Sequence, residues 1–179
     1  MKKTVLLYWA PGGNVENVAR EIYRQFGVNE LEIADIAGFD INRLPEFDQF
    51  IFGSATIGAD VWSDAKSSNK WNEFFVKAQN ISFAGKKVAL FGLGDQVLYP
   101  DHFVDSLGYL KGFIDKKGAT LVGKWPVTGY DFTDSEGVEN NMFFGLALDE
   151  DQQPELTPSR VEAWVKQIKN EFGVSYLPG

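Results

Sequence analysis

The chain is predicted to be α/β: a doubly wound, five-stranded parallel sheet with helices on both faces and a long insertion in the last strand. Three observations carry this prediction. Short, almost wholly apolar runs alternate with stretches whose apolar residues recur at helical spacing. Several of these runs lead into glycine, as at Gly53 and Gly92. One segment, from Lys124 to Asn141, is rich in Gly, Thr, Asp and Asn and breaks the alternation near its end.

The elements follow in order. Thr4-Val5-Leu6-Leu7-Tyr8 is a continuous apolar run, as expected of a strand covered on both faces. Val15, Val18, Ala19, Ile22 and Phe26 then mark one face of a helix that Gly27 stops, with Asn14 as its N-cap. Leu31-Glu32-Ile33 is a weaker strand, and Gln49 to Gly53 a stronger one. A polar stretch from Ser54 to Asn69 leads to a helix around Trp71, Phe74 and Phe75. Lys87 to Gly92 is the next buried strand, followed by a helix with Phe103, Leu107, Leu110 and Ile114 on one face. Thr120-Leu121-Val122 begins the last strand, and Met142 to Leu148 reads as strand again beyond the insertion. The final helix has Thr157 as N-cap, Pro158 at its first position, a stripe of Val161, Trp164, Val165, Ile168 and Phe172, and Gly173 as its stop.

The 179 residues are expected to form one domain, 1–179. With 25 Asp and Glu against 17 Lys and Arg, the net charge is -8. Nucleic acid and anionic membranes would be repelled, and a basic protein partner is favoured. The absence of cysteine excludes disulfides, thiolate catalysis and iron–sulfur ligation, so redox chemistry would need a bound cofactor. No apolar run approaches the ~18 residues of a membrane span, and the N-terminus lacks a cleavable signal; a cytoplasmic protein is expected.

In open α/β sheets a ligand sits beyond the carboxyl ends of the strands, where the strand order reverses. Three loops leave those ends: Trp9 to Asn14, Ser54 to Asn69, and Leu93 to His102. The first, Trp9-Ala10-Pro11-Gly12-Gly13-Asn14-Val15, has no Ser, Thr, Lys or Arg, but backbone N–H groups of a Gly-Gly turn at a helix N-terminus can cradle an anion. The plain alternative is an empty tight turn. The absence of a Gly-Lys-Ser/Thr ending excludes a P-loop hydrolase. Tyr99, in the third loop, is placed to stack on a planar cofactor; taken alone it reads first as a surface tyrosine.

The stretch "VALFGLGDQVLYPDHFVDSLG", with "TGYDFTDSEGV" and "FFGLALDEDQQPELTPSRVEAWVKQI", resembles the flavodoxin family in its long-chain form over essentially the whole chain. The resemblance implies sheet order 2-1-3-4-5 and one non-covalent FMN that shuttles single electrons between redox proteins, a donor reductase and an acceptor enzyme. It implies that Ala10 to Val15, next to Trp9, cradle the FMN phosphate, with N–H groups of Gly12, Gly13, Asn14 and Val15 as donors and Pro11 stiffening the turn. Gly92, Leu93, Gly94 and Asp95 would flank the ring and Tyr99 stack on it. Ser54, Ala55, Thr56, Ile57, Gly58, His102 and Asp149 complete the implied contacts; for His102 the alternative is a solvated loop residue.

The chain departs from the family pattern in two loops. Ala10, Gly12 and Val15 stand where the family usually has Ser or Thr, removing three hydrogen bonds worth roughly 3–6 kcal/mol together. Ile57 stands where many members place a Trp on the inner flavin face; Trp62 is the nearby aromatic substitute. Gly58 would let a peptide carbonyl turn toward flavin N5 at little steric cost, so the chemistry belongs to the cofactor and no catalytic side chain or metal is expected. Asp60, Asp64, Asp95, Asp101, Asp105, Asp149, Glu150 and Asp151 are expected to gather on the flavin side, disfavouring the reduced anion and steering basic partners to a monomer. Two alternatives share the fold: an FMN-dependent quinone or nitro reductase, and a degenerate flavodoxin that binds FMN weakly or not at all. A receiver domain is rejected, because Tyr8-Trp9 and Gly53-Ser54 stand where its acidic residues belong.

Overall fold

The computed structural model describes residues 3–55 and 70–173. Parallel strands β1 (Thr4–Tyr8), β2 (Leu31–Asp35), β3 (Gln49–Ala55), β4 (Lys87–Leu93) and β5 (Thr120–Val122) lie in the order β2-β1-β3-β4-β5, as the family resemblance implies. The order reverses between β1 and β3, whose pairing runs from Thr4 opposite Gln49 to Tyr8 opposite Gly53.

The continuous apolar runs arise because both faces of the sheet are covered. Side chains alternate in direction along a strand. Leu6, Tyr8, Ile51, Ala89 and Phe91 therefore pack with helices α1 (Asn14–Phe26) and α4 (Thr157–Phe172). Val5, Leu7, Phe50, Phe52 and Leu90 face the other way, toward α2 (Lys70–Lys77) and α3 (Ser106–Lys117). Every residue of the predicted α1 stripe is buried. On the opposite face Trp71, fully buried, stacks on Phe75 and donates its indole N–H to Gly53 O at 3.3 Å.

The insertion splits the last strand. Thr120 to Val122 pair with Lys87 to Ala89; after the insertion, β9 (Leu146–Leu148) returns to pair with Phe91 to Leu93 of the same β4. Between the two halves, β6 (Trp125–Pro126), β7 (Val138–Glu139) and β8 (Met142–Phe143) form a small antiparallel sheet of order β6-β8-β7. The run Met142 to Leu148, which reads as one strand, is thus two, broken at Gly145. A Cβ there would lie 2.0 Å from Leu90 O, so only glycine lets the chain re-enter beside β4.

Two helix starts differ from expectation by one residue. Gly13, in extended conformation, caps α1 and Asn14 is already helical; no side chain caps this end. Thr157 is helical too, because a 3₁₀ turn at Pro154–Leu156 leads directly into α4, and its hydroxyl donates to the Glu150 carboxylate instead of capping the helix. Among the described residues no helix is long and apolar enough to cross a membrane.

Candidate functional site

The carboxyl ends of β1, β3 and β4 open into a cavity of about 460 Å³, within the range of small-molecule and cofactor sites. Its walls come from all three loops that the sequence singles out, so far as they are described. Trp9 to Val15 form one side, Ser54 and Ala55 the floor, and Leu93, Gly94, Asp95, Leu98 and Tyr99 the opposite side. Glu150 and Asp151, just beyond β9, complete the rim.

The first loop turns under α1. Gly12 has φ +86, in the left-handed region that favours glycine, and a Cβ on either Gly12 or Gly13 would meet no described residue within 4 Å. The space above this turn is therefore open. No side-chain cap closes the start of α1 among the described residues, and Gly13, Asn14 and Val15 at that start line the cavity. The helix dipole adds partial positive charge at the same place. Backbone is the only source of positive potential along the described lining, which holds Asp95, Glu150 and Asp151 and neither Lys nor Arg.

Beneath the loop, the buried Tyr8 donates its hydroxyl to Glu16 Oε1 at 2.7 Å, and Arg20 Nε meets Glu16 Oε2 at 3.4 Å. The Tyr8 bond is the main reason the Glu16 carboxyl lies below its ordinary value; burial, the next largest effect, opposes it, and Arg20 and the Gly12 backbone add to it. Burial, and then this acceptor, push the Tyr8 phenol up to about 12.

Ser54 is 2% exposed and lines the cavity, yet its hydroxyl has no hydrogen-bond partner among the described residues. A buried polar group left unpaired costs free energy that a ligand atom in the cavity would recover. It is the one side-chain hydroxyl on the described lining outside Tyr99.

The third loop is fastened from within and from behind. Asp95 Oδ1 accepts the N–H groups of Val97 and Leu98, each at 2.9 Å, and Gln152 Nε2 at 3.1 Å. Burial acts to raise the Asp95 carboxyl, but these hydrogen bonds outweigh it and hold the group below its ordinary value. Asp151 goes the other way, raised by burial and by the charges of Asp95 and Asp149.

Of the expected site residues, Trp9 to Val15, Ser54, Ala55, Leu93, Gly94, Asp95 and Tyr99 meet at the cavity. Thr56, Ile57, Gly58, Trp62, Asp60 and Asp64 lie outside the described residues. Gly92 is buried one residue before the lining begins. His102 does not line the cavity; its Nδ1 pairs with Asp105 Oδ2 at 2.8 Å. Asp149 and Asp105 are each 0% exposed, so neither belongs to the expected acidic surface. The Asp149 carboxylate is instead occupied by four N–H donors, from Gln96 N, Gln96 Nε2, Asp151 N and Gln152 N. Leu98, Glu150 and Asp151 line the cavity without having been singled out as contacts. The last two stand in the run Leu148-Asp149-Glu150-Asp151, where the signal was visible as charge but not as position.

Comparison with known proteins agrees with this geometry. The family model described as flavodoxin matches residues 6–164. The chain is 41% identical over 175 residues to a flavodoxin of Synechococcus elongatus, covering 97% of this chain and 100% of that one. It is 42% identical over 173 residues to flavodoxin 1 of Escherichia coli, covering 96% of each. Among solved structures, a Fusobacterium nucleatum flavodoxin bound to flavin mononucleotide superimposes with a TM-score of 0.81 at 28% identity, covering 96% of this chain and 99% of that one. With the sheet order, the crevice at its switch point and this near-complete coverage, the chain belongs to the flavodoxin family.

Proposed function

We propose that the protein is a long-chain flavodoxin: it binds one FMN in the cavity at the carboxyl ends of β1, β3 and β4 and carries single electrons at low potential between redox proteins. The observation that carries this reading is the convergence, on one cavity, of an uncapped helix N-terminus under a Gly-Gly turn, the partnerless Ser54 hydroxyl and the Asp95 to Tyr99 wall. When bound, FMN supplies the redox chemistry.

The residues present fit that group. The N–H groups of Gly12, Gly13, Asn14 and Val15 hold the phosphate, in a lining without a described cation. Ser54 satisfies its hydroxyl on the cofactor and offsets part of what the missing loop hydroxyls cost. Tyr99 covers one face of the ring, and Trp9, on the opposite side of the cavity, excludes water from the other end of the ligand. Asp95, Glu150 and Asp151 place negative charge beside the ring; this disfavours further negative charge there and lowers the potential of full reduction. The same rim is where a basic donor reductase or acceptor enzyme docks on a monomer, in the cytoplasm.

A quinone or nitro reductase, and a flavodoxin without cofactor, are the less favoured readings, since the matched relatives are named as flavodoxins and the cavity is open where FMN is expected. Absorbance spectra of the purified protein, with and without added FMN and after dialysis, test the proposal. Retained flavin bands are the expected result. A colourless protein that does not quench FMN fluorescence would sink it, and rapid NAD(P)H oxidation without a partner reductase would move the protein to the enzyme class.

A further inference from the structure

We infer that Gln96 is a positioning residue for the cofactor, through which the insertion fixes the wall of the cavity that carries Asp95 and Tyr99. This rests on the proposed FMN site. Gln96 is buried and does not itself line the cavity, yet it is the neighbour of Asp95 and shares a loop with Tyr99. Its groups are divided between two segments far from it in sequence, the insertion at Asp131 and the stretch from Asp149 to Gln153. Its backbone N–H and its Nε2 both donate to Asp149 Oδ2, each at 2.9 Å, just past the end of β9. Nε2 also meets Gln153 Oε1 at 3.1 Å, ahead of α4. Its Oε1 accepts the backbone N–H of Asp131, in the insertion, at 2.6 Å.

That last bond begins a ladder. Pro100 O accepts the N–H groups of Thr133 at 2.7 Å and Asp134 at 2.9 Å. The Ser135 hydroxyl donates to Phe103 O, and the buried Asp105 accepts Glu136 N at 2.7 Å. The insertion thus runs along the outer side of the loop from Gln96 to Asp105 and bonds to it at four places. At the cavity end only Gln96 joins this ladder to the Asp149 carboxylate. A side-chain amide with donors on one side and an acceptor on the other is the group able to do both.

The fixed wall matters because stacking and charge at a cofactor depend on placement at the scale of an ångström. With Gln96 in place, Asp95 and Tyr99 are held against the ring; without it, the loop moves outward and both effects weaken. Binding then loosens, and the second one-electron step becomes easier, since the nearby negative charge and the water-excluding ring have withdrawn.

The test uses reconstituted holoprotein of the wild type and of Gln96→Met, which keeps the volume and removes the side-chain hydrogen bonds. FMN dissociation constants, both one-electron midpoint potentials and the near-UV and visible circular dichroism of the bound flavin are compared. The expected result is a dissociation constant raised about tenfold, a less negative potential for the second step and an altered flavin dichroism, with the far-UV spectrum unchanged. Gln96→Asn, which keeps the amide and the charge but is one methylene too short to reach Asp149 and Asp131 together, carries the same readings if the Met variant does not fold. Wild-type potentials and dichroism in a folded variant overturn this inference alone. Failure of the wild type to take up FMN overturns the proposed function, and this inference with it.

Discussion

Tyr8 Oη lies 2.7 Å from Glu16 Oε1, so the last residue of β1 is tied to the first turn of α1 directly beneath the open glycine turn. This bond joins the two elements between which an anion would sit. Tyr8→Phe is expected to lower the melting temperature of the apoprotein by about 2–4 °C at neutral pH. The pH dependence has a definite sign. A phenol raised from 10.0 to about 12 favours the folded state below its unfolded value, and that contribution is lost as the pH climbs through this window. Tyr109 and Tyr130 are raised to about 12 as well, so the variant should retain part of the alkaline decline and lose the part due to Tyr8. Melting curves between pH 7 and 12 check this; superimposable alkaline limbs would contradict it.

Ser54→Ala separates cofactor binding from folding. The hydroxyl has no partner among the described residues, so removing it should leave apoprotein stability unchanged or slightly improved. The FMN dissociation constant should rise about tenfold, the equivalent of one hydrogen bond to the ligand. Fluorescence titration and urea denaturation of the same preparations give the two numbers. Unchanged affinity would show that the hydroxyl does not reach the cofactor.

Gly12→Ala and Gly13→Ala make a matched pair. Neither added methyl would meet an atom within 4 Å, but only Gly12 has a positive φ, +86. The first substitution should therefore cost about 1–2 kcal/mol of apoprotein stability, and the second less than about 0.5 kcal/mol. Equal costs in denaturant melts would mean that backbone strain does not explain the two-glycine turn.

Asp151→Asn tests the acidic rim. The carboxyl of Asp151 is raised by burial and by Asp95 and Asp149, so its ionised form opposes folding above the ordinary carboxylate range. The variant should melt about 1–2 °C higher than wild type at pH 7. The gain should vanish as the pH falls through the raised value, where wild-type Asp151 is already neutral. A gain that persists in acid would point to packing, not charge.

Acid stability should be carried in part by Asp95 and Glu16, whose carboxyls, like those of Glu21 and Glu73, lie below their ordinary values. Their contributions are complete above the unfolded carboxylate value and are lost as the pH falls through the folded one. Gln152→Leu removes one of the bonds that hold Asp95 down, the Gln152 Nε2 contact at 3.1 Å, and should move the acid unfolding midpoint to higher pH. An unmoved midpoint would assign the acid transition to other groups.

The architecture was legible because burial on both faces leaves a local mark. Apolar runs such as Val5 to Tyr8 and Phe50 to Phe52, set between stripes such as Val15 to Phe26 and Val161 to Phe172, determined a doubly wound sheet, and the Gly-Asp-Gln loop with its downstream Tyr99 determined the family. Helix starts were less exact. Asn14 and Thr157 have capping side chains, but whether they cap depends on the direction from which the chain enters, and that is set by the Gly-Gly turn and by the 3₁₀ turn at Pro154–Leu156. Of the site, the sequence by itself placed the loops that meet at the cavity, since strand ends and glycine turns are local features. Only the tertiary structure decided that Asp149 is buried under Gln96, that Ser54 is left without a partner among the described residues, and that the insertion buttresses the cofactor loop. Those outcomes depend on hydrogen bonds between residues separated by 53 positions at Asp149 and by 35 at Asp131. No local periodicity encodes such a pairing; it exists only once β9 has closed onto β4 and brought the two segments together.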